Sequence, residues 1–485
     1  MLSFRSLLIG LPLLFVAGCG AEPALPKGPP QHVLLIVIDT LRADHLSCYG
    51  YWRDTSPNID GLAERGVRFT RAISQSSWTA PSMVTLMTGQ RVSGPRLHLP
   101  EDHPVLAELF KDAGYKTGAW VANELLNTQM GFARGFDKFV DEQEWHSVRP
   151  PGRLDDIITW LTENKDHDTF TWVHFTDPHD PYSPEADLNS GQLGKFSEYQ
   201  KGIIDSVAQA GGVPDEIEAQ TAWIAAEKGR YDDEIRTVDR KVRKLLVALQ
   251  NTGNLDNAII ALTSDHGECL WERPESNRRI ELKDDKRGEP KTVKHLLKQT
   301  HGDFVYQELV HVPLILVAPG LTPGEIRETV SEAVHLPSTL LALAGIKVGG
   351  VERLAGKNMF GESIPSGAYT MTQLGEAFVT EEGWKLILPT TKGASEFAQP
   401  LQLFNLQKDP GELTNLAAEH PEIVADLRAR ILERKQGALP ELSQEEQRQK
   451  AIENAEALQK IGYAGQGGFG DDLLKDGEEQ DDHEH

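Results

Sequence analysis

The chain has 485 residues, 39% of them hydrophobic, which suits one large globular domain or two with a real core. Its 49 Lys and Arg stand against 73 Asp and Glu, and the formal charge of -24 argues against a nucleic acid partner, whose phosphates would be repelled. A small anionic substrate is not excluded, because one metal ion reverses the field of a local site.

The first residues, MLSFRSLLIGLPLLFVAGCGAEPALPKGPP, place Arg5 before an apolar run over 7–17, then Gly-Cys-Gly and a Pro-rich linker. The run is too short to span a bilayer comfortably and reads as a secretory signal over 1–19, followed by a linker over 20–31. Val16, Ala17, Gly18 and Cys19 resemble the bacterial lipoprotein cleavage box. That resemblance implies a mature protein lipidated on Cys19 and held at the membrane of a bacterial cell envelope, on its periplasmic or extracellular face. Removing Cys19 leaves Cys48 and Cys269 in an oxidising compartment, either as a disulfide or as two separate buried thiols.

Further along, five short apolar runs end in polar residues: VLLIVIDT (33–40), TGAWVAN (117–123), FTWVHFTDPH (170–179), AIIALTSDHGE (258–268) and VPLILVAPG (312–320). Runs rich in Val and Ile without alternation predict strands buried on both faces, and helical stretches lie between them. One such helix is DDEIRTVDRKVRKLLVALQNTG (232–253), with Ile235, Val238, Val242, Leu245, Leu246 and Leu249 on one face and Gly253 near its stop. The fold class is therefore α/β, a mostly parallel central sheet flanked by helices, over 32–365. In such sheets ligands bind at the carboxyl ends of strands. From about Ala368 the texture changes to shorter alternating pieces and a helix near 421–435, predicting a small α+β subdomain with an antiparallel sheet over 366–465. The last segment, 466–485, holds eight acidic residues and reads as a disordered tail.

The chemistry gathers in a few motifs. Asp39 ends the first run, Asp265 and His266 end the fourth, and SQSSWTAPSMVTLMTGQ (74–90) opens a predicted helix. Together with DTLRADHLSCYGY, SDHGE, THGDFVYQELVHVPLILVAPG, RYDDEIRTVDRKVRKLL and LFNLQKDPGELTNL, these resemble in order and spacing the sulfatase family of the alkaline phosphatase superfamily, over about 33–416. The resemblance implies a metal-dependent ester hydrolase whose divalent ion is held by Asp39, Asp265, His266 and the Thr79 oxygen. Such ligands leave Zn, Mn, Mg or Ca open. Conventional sulfatases often carry a second Asp at position 40, and Thr40 lowers the ligand charge and argues against calcium.

Thr79 stands where the family has the Cys or Ser that is oxidised to formylglycine, and Met83 where it has Arg. A threonine cannot enter that route. The resemblance instead implies a plain alkoxide nucleophile, as in related transferases and nucleotide pyrophosphatases, and hence phosphate mono- or diester chemistry in preference to sulfate. Thr79 also reads as a helix N-cap, and the two roles are compatible. His179 and His301 match the family's substrate-oxygen histidines. His174 reads as core or as a group behind the site. Asp177 with His179 and His301 offers an alternative second metal set, and Asn123 either bonds a substrate oxygen or caps its strand end. The insert 272–298, with nine Lys or Arg against six Asp or Glu, is a solvated loop or a lid for an anionic ester or glycan substrate. A transferase acting on envelope glycans and a silent glycan-binding lipoprotein remain the alternatives.

Overall fold

The structure, a computed structural model, describes residues 31–94, 96–141, 152–184, 194–273, 292–362, 364–390 and 400–440, together with Glu446 and Gln449. The signal and Cys19, nearly all of the linker, most of the charged insert and the acidic tail lie outside the described residues.

Eight strands form the main sheet: β1 (His32–Ile38), β2 (Val67–Ile73), β3 (Lys116–Val121), β4 (Lys138–Asp141), β5 (Thr169–Phe175), β6 (Ile259–Thr263), and, after the hairpin strands β7 (Cys269–Arg273) and β8 (Lys298–Thr300), β9 (His311–Val317) and β10 (Glu325–Glu332). Their order is β10-β2-β9-β6-β1-β5-β3-β4. All pair in parallel except β9, which runs against both β2 and β6. The five predicted runs are β1, β3, β5, β6 and β9. Nothing in the composition of β9 marks its reversed direction, because it too is buried along almost its whole length.

β2, which leads directly to Thr79, was not among the predicted strands. Its sequence VRFTRAI alternates instead of running apolar, with Arg68, Thr70 and Arg71 partly exposed.

Helices cover both faces: α1 (Pro57–Arg65), α2 (Thr79–Thr88), α3 (Leu106–Asp112), α4 (Gly152–Glu163), α5 (Glu198–Gln209) and α6 (Pro214–Asn251) are the first six. Successive β1 side chains point to opposite faces. Val33, Leu35 and Val37 pack in one core with Met83, Val84 and Met87 of α2. Leu34, Ile36 and Ile38 pack in the other with Ile235, Val238, Val242, Leu245 and Leu249 of α6. The α6 helix is 38 residues long, starting well before the predicted 232, and Leu246 is only partly buried.

The small subdomain holds a four-stranded antiparallel sheet of β11 (Ala368–Met371), β12 (Gly375–Val379), β13 (Trp384–Pro389) and β14 (Gln402–Asn405), covered by a helix at Pro421–Gln436. It is tied to the main domain four residues before Thr79, where Met371 N donates to Gln75 O at 2.9 Å. Cys269, buried, and Cys48, half-buried, are not joined, so the disulfide alternative does not form.

Candidate metal centre and nucleophile

The carboxyl ends of β1, β3, β5 and β6 lie side by side, and each delivers its polar residue to one place. Asp39 follows β1, Asn123 follows β3, His174 lies within β5, and Asp265 and His266 follow β6. The ligand atoms of Asp39, Asp265 and His266 all fall within 4.8 Å of one another. His266 Nε2 is 3.5 Å from Asp39 Oδ1 and 3.7 Å from Asp265 Oδ2.

Neighbouring bonds aim these atoms inward. His266 Nδ1 pairs with Gly267 O at 2.8 Å, which leaves Nε2 as the inward nitrogen. Asp265 Oδ1 accepts from His266 N at 2.9 Å and from Thr40 N at 3.4 Å, so Oδ2 is the oxygen turned to the centre. Asn123 Nδ2 donates to Asp39 Oδ2 at 2.8 Å, leaving Oδ1. Asp39 Oδ1 and Asp265 Oδ2 are buried without any hydrogen-bond partner.

Thr79 is the first residue of α2, and all ten residues of that helix are buried. The N-cap is Trp78, not Thr79. The hydroxyl is turned to the centre instead: Oγ1 lies 3.1 Å from His266 Nε2 and 3.5 Å from Asn123 Nδ2. Asn123 also plays the capping part, its Oδ1 accepting from Leu125 N at 3.0 Å.

Beyond this group stand the other two histidines. His301 sits between His266 and His179, with ring centroids 4.8 and 5.0 Å away. Glu268, fully buried, places Oε1 3.3 Å from His301 Nδ1. Burial opposes charge on His301, but Glu268 and then the two aspartates raise it to about 9, so it is cationic at neutral pH. Burial, then the neighbouring His301, lowers His179 to about 4, keeping it neutral.

His174 lies behind the centre, Nε2 3.8 Å from Asp265 Oδ2. Asp177 is turned away to α6, where Oδ1 meets Lys241 Nζ at 2.6 Å. Among the described residues the only close group of three ligating side chains is Asp39, Asp265 and His266, so the second metal set of Asp177, His179 and His301 does not assemble. Glu268 carried no predicted role. Its signal was available: an acid immediately before the apolar run CLW that opens β7 invites the question of what pairs with it.

Two backbone features shape the site. Gly267 passes so close to the 307–310 turn that a Cβ there would lie 2.1 Å from Glu308 O, while its own N donates to Leu309 O at 2.7 Å. Thr40 has φ +56, a left-handed conformation costing roughly 1–2 kcal/mol for an L-residue and rare for a β-branched one.

Residues 31–346 match the family described as Sulfatase, which is most of the chain and includes every group of the site. The chain belongs to the sulfatase family. It is thus a hydrolase acting on sulfate or phosphate esters. The choline-sulfatase of Rhizobium meliloti is 24% identical over 473 residues, covering 82% of this chain and 84% of that protein. Among solved structures, the phosphonate monoester hydrolase of Agrobacterium radiobacter superposes with a TM-score of 0.63 at 21% identity, covering 85% of this chain and 96% of its own. A 2-O GAG sulfatase superposes with a TM-score of 0.62 at 21% identity over 84% and 92%.

Sulfatase-family enzymes generally use a metal ion, and the donors here fit one. Burial and the Asp265 charge push the Asp39 carboxyl well above its ordinary value, while Asp265, against burial, is held below the usual carboxylate range by His266 and His174. Two buried carboxylates this close need a countercharge, and their unpartnered oxygens converge with His266 Nε2 on one point.

Proposed function

We propose that this sulfatase-family protein is a metal-dependent hydrolase of phosphate mono- or diesters that uses Thr79 as its nucleophile. The observation that carries the reading is the Thr79 hydroxyl itself: at the start of a buried helix, its Oγ1 is 3.1 Å from His266 Nε2, beside two unmatched carboxylates.

A divalent ion, when bound, supplies positive charge that favours the ionised hydroxyl and offsets the charge of the ester oxygens. The chain's own residues do the rest. The amino end of α2 favours developing negative charge at Thr79. Asn123 holds Asp39 and reaches the same hydroxyl. His301, kept cationic by Glu268, offers a proton and a positive charge to a substrate oxygen, with neutral His179 beside it.

Attack of the Thr79 oxygen on phosphorus breaks the ester P–O bond, the departing alkoxide takes a proton from His301, and in-line water then clears the phosphothreonine as phosphate. A sulfothreonine has no aldehyde-forming exit of the formylglycine kind, which is why phosphorus is the favoured centre. The likeness to a phosphonate monoester hydrolase supports this reading, and the sulfatase relatives define the competing one. Small anionic esters, including phosphorylated glycans, are the substrate class. The lipoprotein box at Cys19 supports attachment to the bacterial cell envelope; Cys19→Ser should move the protein from the detergent phase to the aqueous phase on partitioning.

The test is a panel of aryl esters presented to protein loaded with Mn²⁺ or Zn²⁺. Turnover of aryl phosphate or bis-aryl phosphate should exceed that of aryl sulfate by at least ~10²-fold. Efficient multiple turnover of aryl sulfate with Thr79 unmodified refutes the phosphate assignment. Products carrying an added alcohol acceptor would establish a transferase instead.

A further inference from the structure

We propose that Tyr231 is a positioning residue of the metal centre: its hydroxyl staples the left-handed turn at Thr40 and thereby sets where Asp39 and Asp265 converge. The inference rests on the metal reading above and names the device that holds its ligands in place.

Asp39 is fixed to the sheet through its amide, which donates to Phe175 O at 2.8 Å, and the chain must then turn sharply away. The turn falls on Thr40 at φ +56, a conformation a threonine leaves unless it is held. Its own side chain gives local help, Oγ1 donating to Asp39 O at 2.7 Å. The carbonyl of the strained residue is met from 191 positions away: the Tyr231 hydroxyl donates to Thr40 O at 2.7 Å. The Tyr231 hydroxyl oxygen in turn accepts from Arg42 N at 3.0 Å. One phenol thus uses its proton and a lone pair on the two sides of a single turn.

Tyr231 is rigidly placed for this. It is fully buried on α6, with His45 packed edge-on at 5.1 Å and Tyr182 at 5.6 Å. The next residue, Asp232, takes His45 Nδ1 at 2.7 Å and the Tyr51 hydroxyl at 2.9 Å, so the same helix also secures the loop downstream. The turn is coupled to both carboxylates. Asp39 immediately precedes it, and Thr40 N reaches Asp265 Oδ1 at 3.4 Å. A ring needed only to fill space would not require a hydroxyl bonded to backbone on either side of a left-handed residue. Losing that hydroxyl lets Thr40 relax and spreads Asp39 from Asp265.

Tyr231→Phe keeps the ring and removes the staple. Affinity for Mn²⁺ and for Zn²⁺, measured by chelator competition on the otherwise intact protein, should fall at least ~10-fold for the variant. Glycine adopts the left-handed region freely, so in a Thr40→Gly background the same Tyr231→Phe change should cost less than ~3-fold. Equal losses in both backgrounds, or wild-type affinity in Tyr231→Phe, overturn the inference while leaving the metal reading standing. Wild-type protein that binds neither ion overturns both. Should Tyr231→Phe fail to fold, Thr40→Ala and Thr40→Gly decide: both lose the Oγ1 bond to Asp39 O, so relief of a strained turn requires the metal-free glycine variant to melt above the alanine variant, and the reverse order removes the premise.

Discussion

Two buried sets of charge flank the segment from Asp265 to Arg273, and they are built on opposite principles. On one side Asp39 and Asp265 bring two like charges together, their inward oxygens facing only the imidazoles of His266 at 3.5 and 3.7 Å and His174 at 3.8 Å. On the other, Arg273 grips Glu308 at 2.6 and 3.2 Å, while Lys385, wholly buried, lies 2.7 Å from Glu412, whose other oxygen accepts Gln307 N at 2.6 Å. A buried charge without a partner costs several kcal/mol, and one with a partner roughly breaks even. The matched set joins the small subdomain to β7 and the turn before β9, and belongs to architecture. The carboxylate pair has no such cationic match within the chain among the described residues.

Substitutions on the two sides should therefore differ in kind. The largest effect belongs to the unmatched side: Thr79→Ala should lower ester turnover by at least ~10³-fold with unchanged circular dichroism, and Thr79→Ser should retain part of the activity. On the matched side, Lys385→Met strands the Glu412 carboxylate and should cost ~3–5 kcal/mol in urea unfolding, with turnover per folded molecule unchanged. Metal sharpens the contrast. An ion at 100 times its Kd should raise wild-type unfolding free energy by about 2.7 kcal/mol, and Asp39→Asn should abolish that gain.

The same Asp39→Asn should stabilise the metal-free protein by about 1–2 kcal/mol, the opposite sign to Lys385→Met. The smallest effect is on acid stability. Against burial, Arg42 and Lys228 lower Glu272 to about 2 from an ordinary 4.5. A carboxylate depressed in the folded state contributes stability that is complete above its unfolded value and is lost as pH falls towards about 2. Glu272→Gln should flatten the acid limb of the stability curve between those values while leaving that limb unchanged in its dependence on added metal.

Much of the fold was legible because buried parallel strands advertise themselves: β1, β3, β5 and β6 are apolar on both faces and stop at their functional residues. β2 hid because its alternation, with arginines facing partly outward, resembles many surface segments. The reversed direction of β9 has no local signature at all, since direction is decided by connections and not by composition. Within the site, the sulfatase resemblance singled out Asp39, Thr79, Asp265 and His266, and the folded chain brings these four side chains together. Asp177 stayed an open alternative as a second-metal ligand because spacing cannot reveal that Lys241, 64 residues on, reaches it. Glu268 and Tyr231 were overlooked for a related reason: each acts on a residue distant in sequence, through a bond that only the folded chain brings into being.

Gly267 carries a consequence for descent. With Glu308 O where its Cβ would stand, His266 can face Asp39 while Glu268 faces His301 only while this one position stays bare. A relative that has exchanged the glycine must have moved its 307–310 turn as well, and with it the start of β9. The two segments can drift only together, whatever becomes of the residues around them.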